Sequence, residues 1–175
     1  MGLPPNSLLQ IWAELGIPAD YAVRRGLSLQ TEATDLIRIG ATTDGRELLL
    51  IPPAATAWEL MQRASATDGI TLQAASAFRS IARQAEIIRA KLAHSETIDA
   101  ILAVNVAPGY SEHHTGRALD VTTPGCTPLT EGFAETHAFR WLTGQAARFG
   151  YRLSFPRGNP HGIAFEPWHW CYSMA

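Results

Sequence analysis

Apolar residues at Leu8, Ile11, Trp12 and Leu15 recur at the spacing of one helix face, which predicts a short amphipathic helix over Ser7–Leu15. Two runs, Leu36–Gly40 and Glu47–Ile51, flank a polar loop containing Asp44-Gly45 and predict a hairpin. Pro52-Pro53 ends that run. Ala54–Ala64 then has helical composition, with Trp58 and Met61 one turn apart. Thr71–Phe78 reads as a strand, and Ser80 is placed to cap a helix over Ile81–Leu92. The core stripe of that helix is Ile81, Ala85, Ile88 and Leu92, and Gln84 borders it.

Arg117–Thr122 predicts another strand. After a loop with Pro124, Gly125 and Pro128, a helix over Phe133–Phe149 shows Phe139, Leu142, Ala146 and Phe149 on one face, with Gly150 as its stop. Tyr151–Phe155 and Gly162–Trp170 supply two further strands, joined by the turn-rich PRGNPHG. Clusters of strands separated by helices, without βαβ regularity, predict a single α+β domain with a small, mostly antiparallel sheet flanked by helices. A length of 175 residues suits one domain with a real core.

Apolar content of 46% and charged content of 17% place the chain among globular proteins. A net charge of −2 and the lack of any Lys/Arg run leave no electrostatic footprint for nucleic acid. No apolar run approaches bilayer length. The start, MGLPPNSLLQIWAELG, lacks a basic segment followed by a continuous apolar one, so it does not read as a secretory leader. Two compartments stay open: periplasm or cell wall for a chain whose leader was removed, cytoplasm for a chain complete as given. Cys126 and Cys171 are too few for a disulfide framework and read as two isolated thiols.

Chemistry concentrates in SEHHTGRALDV (Ser111–Val121) and FEPWHWCY (Phe165–Tyr172). His94 and His137 lie among polar neighbours on predicted helices and read as surface residues; His161 lies in the PRGNPHG loop. Two histidines and a carboxylate satisfy the donor count of catalytic zinc, which leaves one position for water. Asp120, one of His113 and His114, and His169 meet that count. Glu166 is left over, within reach of a bound water if Pro167 bends the chain. Each residue also has a purely structural use: Asp120 as a turn brace, His169 as a core histidine between two tryptophans, Glu166 as a surface carboxylate. Strand parity with Asp120 favours His114, but Gly116 lies between them and can break the extended path.

The ordered stretches narrow the choice. SAFRS (Ser76–Ser80) with Gln84 in the next helix, APGYSEHHTGRALDV, FAETHAFRWL, FG-x-x-LS-x-PRGN and GIAFEPWHW together resemble the LAS-type zinc peptidases of the VanY kind. These are bacterial D,D-carboxypeptidases that trim peptidoglycan stem peptides. The resemblance runs from Thr71 to Tyr172, which makes 71–172 the peptidase core and 1–70 an N-terminal helix and hairpin region. It implies the LAS/hedgehog-like fold, one zinc per chain held by His113, Asp120 and His169, and Glu166 as general base. It further implies Arg79 as the group that polarises the scissile carbonyl, with Ser111 and Gln84 binding substrate.

The resemblance therefore implies a peptidoglycan-derived peptide as substrate and removal of a terminal D-alanine as reaction. A D-Ala-D-Ala dipeptidase, an L,D-carboxypeptidase or an endopeptidase would use the same fold. A non-catalytic zinc-stabilised module binding cell-wall peptide would have lost the base, whereas Glu166 and Arg79 are both present. One departure stands out. Relatives often carry a basic residue straight after W-H-W; this chain has Cys171, which strand alternation puts on the same side as His169.

Overall fold

The computed structural model describes residues 5–173; residues 1–4, where the stretch read for a leader begins, lie outside it. Helix α1 (Asn6–Leu15) buries Leu8, Trp12 and Leu15 and ends at Gly16, whose φ of 71° supplies the left-handed stop. A short α2 (Tyr21–Arg24) follows. Strands β1 (Ile37–Ala41) and β2 (Glu47–Leu50) form the expected hairpin. The proline pair does more than end it. Pro52 and Pro53 occupy the first turn of α3 (Pro52–Thr67), where a proline sacrifices no helical hydrogen bond, so the helix starts before Ala54.

Strand β3 is shorter than expected, Gln73–Ser76. Helix α4 (Ile81–Ala93) is capped as predicted, with Ser80 Oγ accepting from the Arg83 N–H at 3.0 Å. A helix that the apolar pattern did not announce, α5 (Ile98–Val104), is capped by Thr97. A 3₁₀ turn, Glu112–Thr115, leads into β4 (Ala118–Thr122). The helix expected over Phe133–Phe149 is divided into a 3₁₀ turn (Glu131–Glu135), α6 (His137–Gln145) and a second 3₁₀ turn (Ala146–Phe149). Thr136 causes the first break by capping α6 with its own hydroxyl. Strands β5 (Tyr151–Leu153) and β6 (His169–Tyr172) complete the chain. Gly162–Trp170 is thus a loop over most of its length, a correction to the strand read there.

The main sheet has order β3-β4-β6-β5 with every neighbouring pair antiparallel, so the expected α+β architecture holds. Side chains alternate across it. Leu119, Val121 and Trp170 enter a core shared with Trp58 and Met61 of α3 and Leu142 of α6. The opposite face carries Asp120 and His169. A second apolar cluster joins Trp12, Ile88 of α4, Ile101 of α5 and Phe155. Among the described residues, no helix is long and apolar enough to cross a membrane.

Candidate metal centre and active site

The register of β4 against β6 pairs Asp120 directly with His169, so two neighbouring strands aim a carboxylate and an imidazole at the same point. The third group comes from the 3₁₀ turn before β4. Ser111 caps that turn, its Oγ accepting from the His113 N–H at 3.4 Å. Gly116 closes it with a φ of 63°, which breaks the extended path and with it the parity argument for His114. A side chain at Gly116 would also collide, since its Cβ would lie 2.8 Å from Leu36 Cδ2. Three backbone bonds strap the turn from outside: Gln30 N–H to Gly109 O and Ala33 N–H to His114 O, both 2.8 Å, and Ile51 N–H to Gly116 O at 2.9 Å.

The adjacent histidines have different fates, and their hydrogen bonds show why. His113 Nδ1 donates to Ala77 O at 2.7 Å, which leaves the Nε2 lone pair free and 3.3 Å from Asp120 Oδ2. His114 spends both nitrogens on the backbone: Nδ1 donates to Arg79 O at 2.6 Å, and Nε2 accepts from the Gly109 N–H at 3.1 Å. No lone pair remains on His114 for a metal. Burial lowers its pKa to about 4 and keeps the ring neutral.

His113, Asp120 and His169 are all buried, and each offers a ligand atom within 4.8 Å of the others. Tetrahedral zinc with bonds of about 2.0–2.1 Å separates its donors by roughly 3.4 Å. The separations of 3.3 Å for His113–Asp120 and 3.1 Å for Asp120 to His169 Nδ1 suit that geometry. Burial disfavours the Asp120 anion, but His113 and His169 outweigh it and hold the carboxyl far below the ordinary range. Two imidazoles and one ionised carboxylate, with a side open to a cavity of about 310 Å³, fit a catalytic zinc ion.

Glu166 lies beside this set without joining it, its Oε2 3.9 Å from His169 Nδ1. The bend expected at Pro167 is present, as the His169 N–H donates to Glu166 O at 3.0 Å. Burial raises the Glu166 pKa to about 7, partly opposed by His169. Arg79 lines the same cavity, and its buried Nε has no protein partner. Ser111 lines it as well. Gln84 sits one layer back, fully buried, its Nε2 donating at 2.6 Å to the carbonyl of Val106, which is itself a wall residue.

Both cysteines are free thiols. Cys171 is buried near the site but outside the converging donors, and burial, with Glu112 adding to it, raises its thiol to about 12. It is a neutral neighbour of the site. One polar residue escaped the sequence reading. Glu112, legible only as the landmark before His113, brings its carboxylate to 3.0 Å from His169 Nε2.

Similar chains and similar folds occur among known proteins. A family profile described as VanY, D-alanyl-D-alanine carboxypeptidase, matches residues 47–175. YodJ of Bacillus subtilis (strain 168) is 33% identical over 123 residues, covering 68% of this chain and 44% of its own length. The D-alanyl-D-alanine carboxypeptidase of Enterococcus faecalis (strain ATCC 700802 / V583) is 31% identical over 119 residues, 62% of this chain and 42% of that protein. The chain thus spans less than half the length of these curated relatives. Among solved structures, the LdcB LD-carboxypeptidase superposes with a TM-score of 0.71 at 27% identity, covering 82% of this chain and 70% of its own. A zinc-bound variant of the vancomycin-resistance D,D-pentapeptidase VanY gives 0.63 at 25% identity, covering 80% and 79%. With the profile matching most of its length and its fold superposing on those peptidases, the chain belongs to the VanY family of D-alanyl-D-alanine carboxypeptidases.

Proposed function

We propose that this chain is a zinc-dependent carboxypeptidase that removes the terminal D-alanine from peptidoglycan stem peptides. The observation that carries the reading is the convergence of His113, Asp120 and His169 on one cavity wall, with Glu166 and Arg79 beside them. Zinc held by those three residues would supply Lewis acidity, lowering the pKa of a bound water from about 15.7 towards about 7.

The chain's own groups do the remaining work. The Glu166 carboxylate, held near neutrality by burial, is suited to take a proton from the attacking water and return it to the departing amine. Arg79 lines the cavity with a largely buried guanidinium, where a donor is worth most to a carbonyl oxygen gaining negative charge. Ser111 presents a hydroxyl to the same cavity. Hydrogen bonds from the ring to the Asp120 and Glu112 carboxylates raise the His169 pKa to about 10 against the effect of burial. Protein stripped by a chelator would then hold protons on both nitrogens of this ring at neutral pH. Zinc bound through Nδ1 would displace one of those protons, so zinc affinity should climb with pH as it is lost. Imidazole resonances of the metal-stripped protein, followed by NMR across pH, check this; a His169 ring already neutral at pH ~8 would contradict it.

The likeness to an LD-carboxypeptidase favours a second reading, in which the substrate is a stem peptide already shortened by one residue. Mass spectrometry of defined penta- and tetrapeptides, cross-linked dimers and free D-Ala-D-Ala separates these readings. The expected product is the pentapeptide shortened by one alanine. Cleavage confined to cross-bridges or to the dipeptide would overturn the carboxypeptidase reading.

A further inference from the structure

Glu112 takes no part in the hydrolytic steps set out above, yet it is tied to the metal centre more tightly than Glu166 is. Its Oε2 lies 3.0 Å from His169 Nε2, while Nδ1 on the other side of the ring lies 3.1 Å from Asp120 Oδ1. Its second oxygen, Oε1, accepts from Arg152 Nη2 at 2.7 Å. Arg152 belongs to β5, opposite Cys171 of β6, and its Nη1 also donates to Ser154 Oγ at 3.2 Å. One 3₁₀ turn therefore provides a ligand, His113, and, from the preceding residue, a carboxylate for a second ligand on another strand.

A neutral imidazole carries one proton and offers a metal only the other nitrogen. A carboxylate at Nε2 keeps the proton there and leaves the Nδ1 lone pair directed at the side where Asp120 and His113 converge. It also fixes the ring plane and makes the ring a stronger donor. Direct ligation by Glu112 does not fit, because its oxygens lie across the ring from the converging set. The two supporting groups differ in exposure: the Glu112 side chain is 16% exposed and that of Arg152 is 54%. Solvent competes strongly for the arginine and weakly for the glutamate.

We propose that Glu112 is a positioning residue for metal binding, holding His169 with its proton on Nε2 and its Nδ1 turned to the metal, and that Arg152 steadies Glu112. This rests on the zinc-peptidase reading above. The test uses the full chain with Glu112→Gln, Arg152→Gln and both changes, stripped of metal and checked for folding by circular dichroism. Zinc affinity is measured against a chromophoric chelator, and the absorption bands of the cobalt-substituted protein report the ligand field. Glu112→Gln should weaken zinc binding by about 10- to 100-fold and shift the cobalt bands. Arg152→Gln should cause a smaller loss, and the double variant should be no weaker than Glu112→Gln. A purely structural role would lower the melting temperature and leave the cobalt spectrum of the folded protein unchanged.

Unchanged zinc affinity and spectrum in folded Glu112→Gln would overturn the inference. If that variant does not fold, the exposed Arg152→Gln decides in its place by the same two measurements. Failure of the unsubstituted chain to bind zinc would remove this inference together with the proposed function. Tight zinc binding weakened by Glu112→Gln, without any peptide hydrolysis, would remove the proposed function and leave this inference standing.

Discussion

Glu166→Gln should lower peptide hydrolysis by about 10²- to 10⁴-fold while the chain still binds one zinc. Glutamine keeps the shape of the side chain, and the backbone bonds at residue 166, to Phe155 O and from the His169 N–H, do not involve it. The proton-accepting oxygen is what disappears. The same substitution should raise the stability of metal-stripped protein at alkaline pH, and the sign follows from linkage. The folded-state pKa of about 7 stands above the ordinary 4.5, so the folded chain binds more protons across that interval and loses stability as pH rises through it. Above pH ~7 the buried anion costs up to about 3 kcal/mol. Glutamine removes that cost, and the difference should vanish below pH ~4.5. Lower activity combined with a higher melting temperature cannot come from misfolding. Unchanged turnover would remove Glu166 from the role of base.

The neighbouring histidines should respond in opposite ways. His113→Ala should abolish tight zinc binding, because it deletes one of the three converging donors and leaves Asp120 and His169 short of a tetrahedral set. His114→Ala should retain the ligands and instead destabilise the fold by about 3 kcal/mol or more. It opens a cavity at a fully buried position and orphans the Arg79 carbonyl and the Gly109 N–H, each worth about 1–3 kcal/mol. Arg79 would lose one of the bonds that hold its backbone against the turn, so hydrolysis should fall as well. Metal content by elemental analysis and thermal unfolding, measured on both variants, give the contrast. Zinc lost from His114→Ala and kept by His113→Ala would reverse the assignment.

Features set by neighbours in sequence could be read from the chain. Ser80 capping α4, the apolar face of α1 and the Asp44-Gly45 hairpin each depend on residues close together in the chain. The division of Phe133–Phe149 did not show, because Thr136 caps α6 from inside a segment whose apolar stripe runs on without interruption. Gly162–Trp170 has strand-like composition, but most of it is held as a loop by long-range contacts such as Ala164 N–H to Ala103 O at 2.8 Å. At the site, residue types and spacing reached the donor set and stopped at the choice between His113 and His114. Family register made that choice, and the physical reason for it lies in partners far along the chain: Ala77 for one ring, Arg79 and Gly109 for the other. Glu112 stayed hidden for a similar reason, since His169 is distant in sequence and adjacent in space.

The backbone straps over the histidine turn bear on how small a working version of this protein can be. The family profile begins at residue 47, and every proposed metal donor and acid–base group lies beyond that point. Truncation there would keep all of them, but it would release the carbonyls of Gly109 and His114 from Gln30 and Ala33 and strip β2 of its partner. A unit that keeps the histidine turn in place is therefore longer than the stretch that holds the proposed site. Local opening of the N-terminal segment, read by amide exchange at Gln30 and Ala33, would also release two of the bonds that hold the chain around His113.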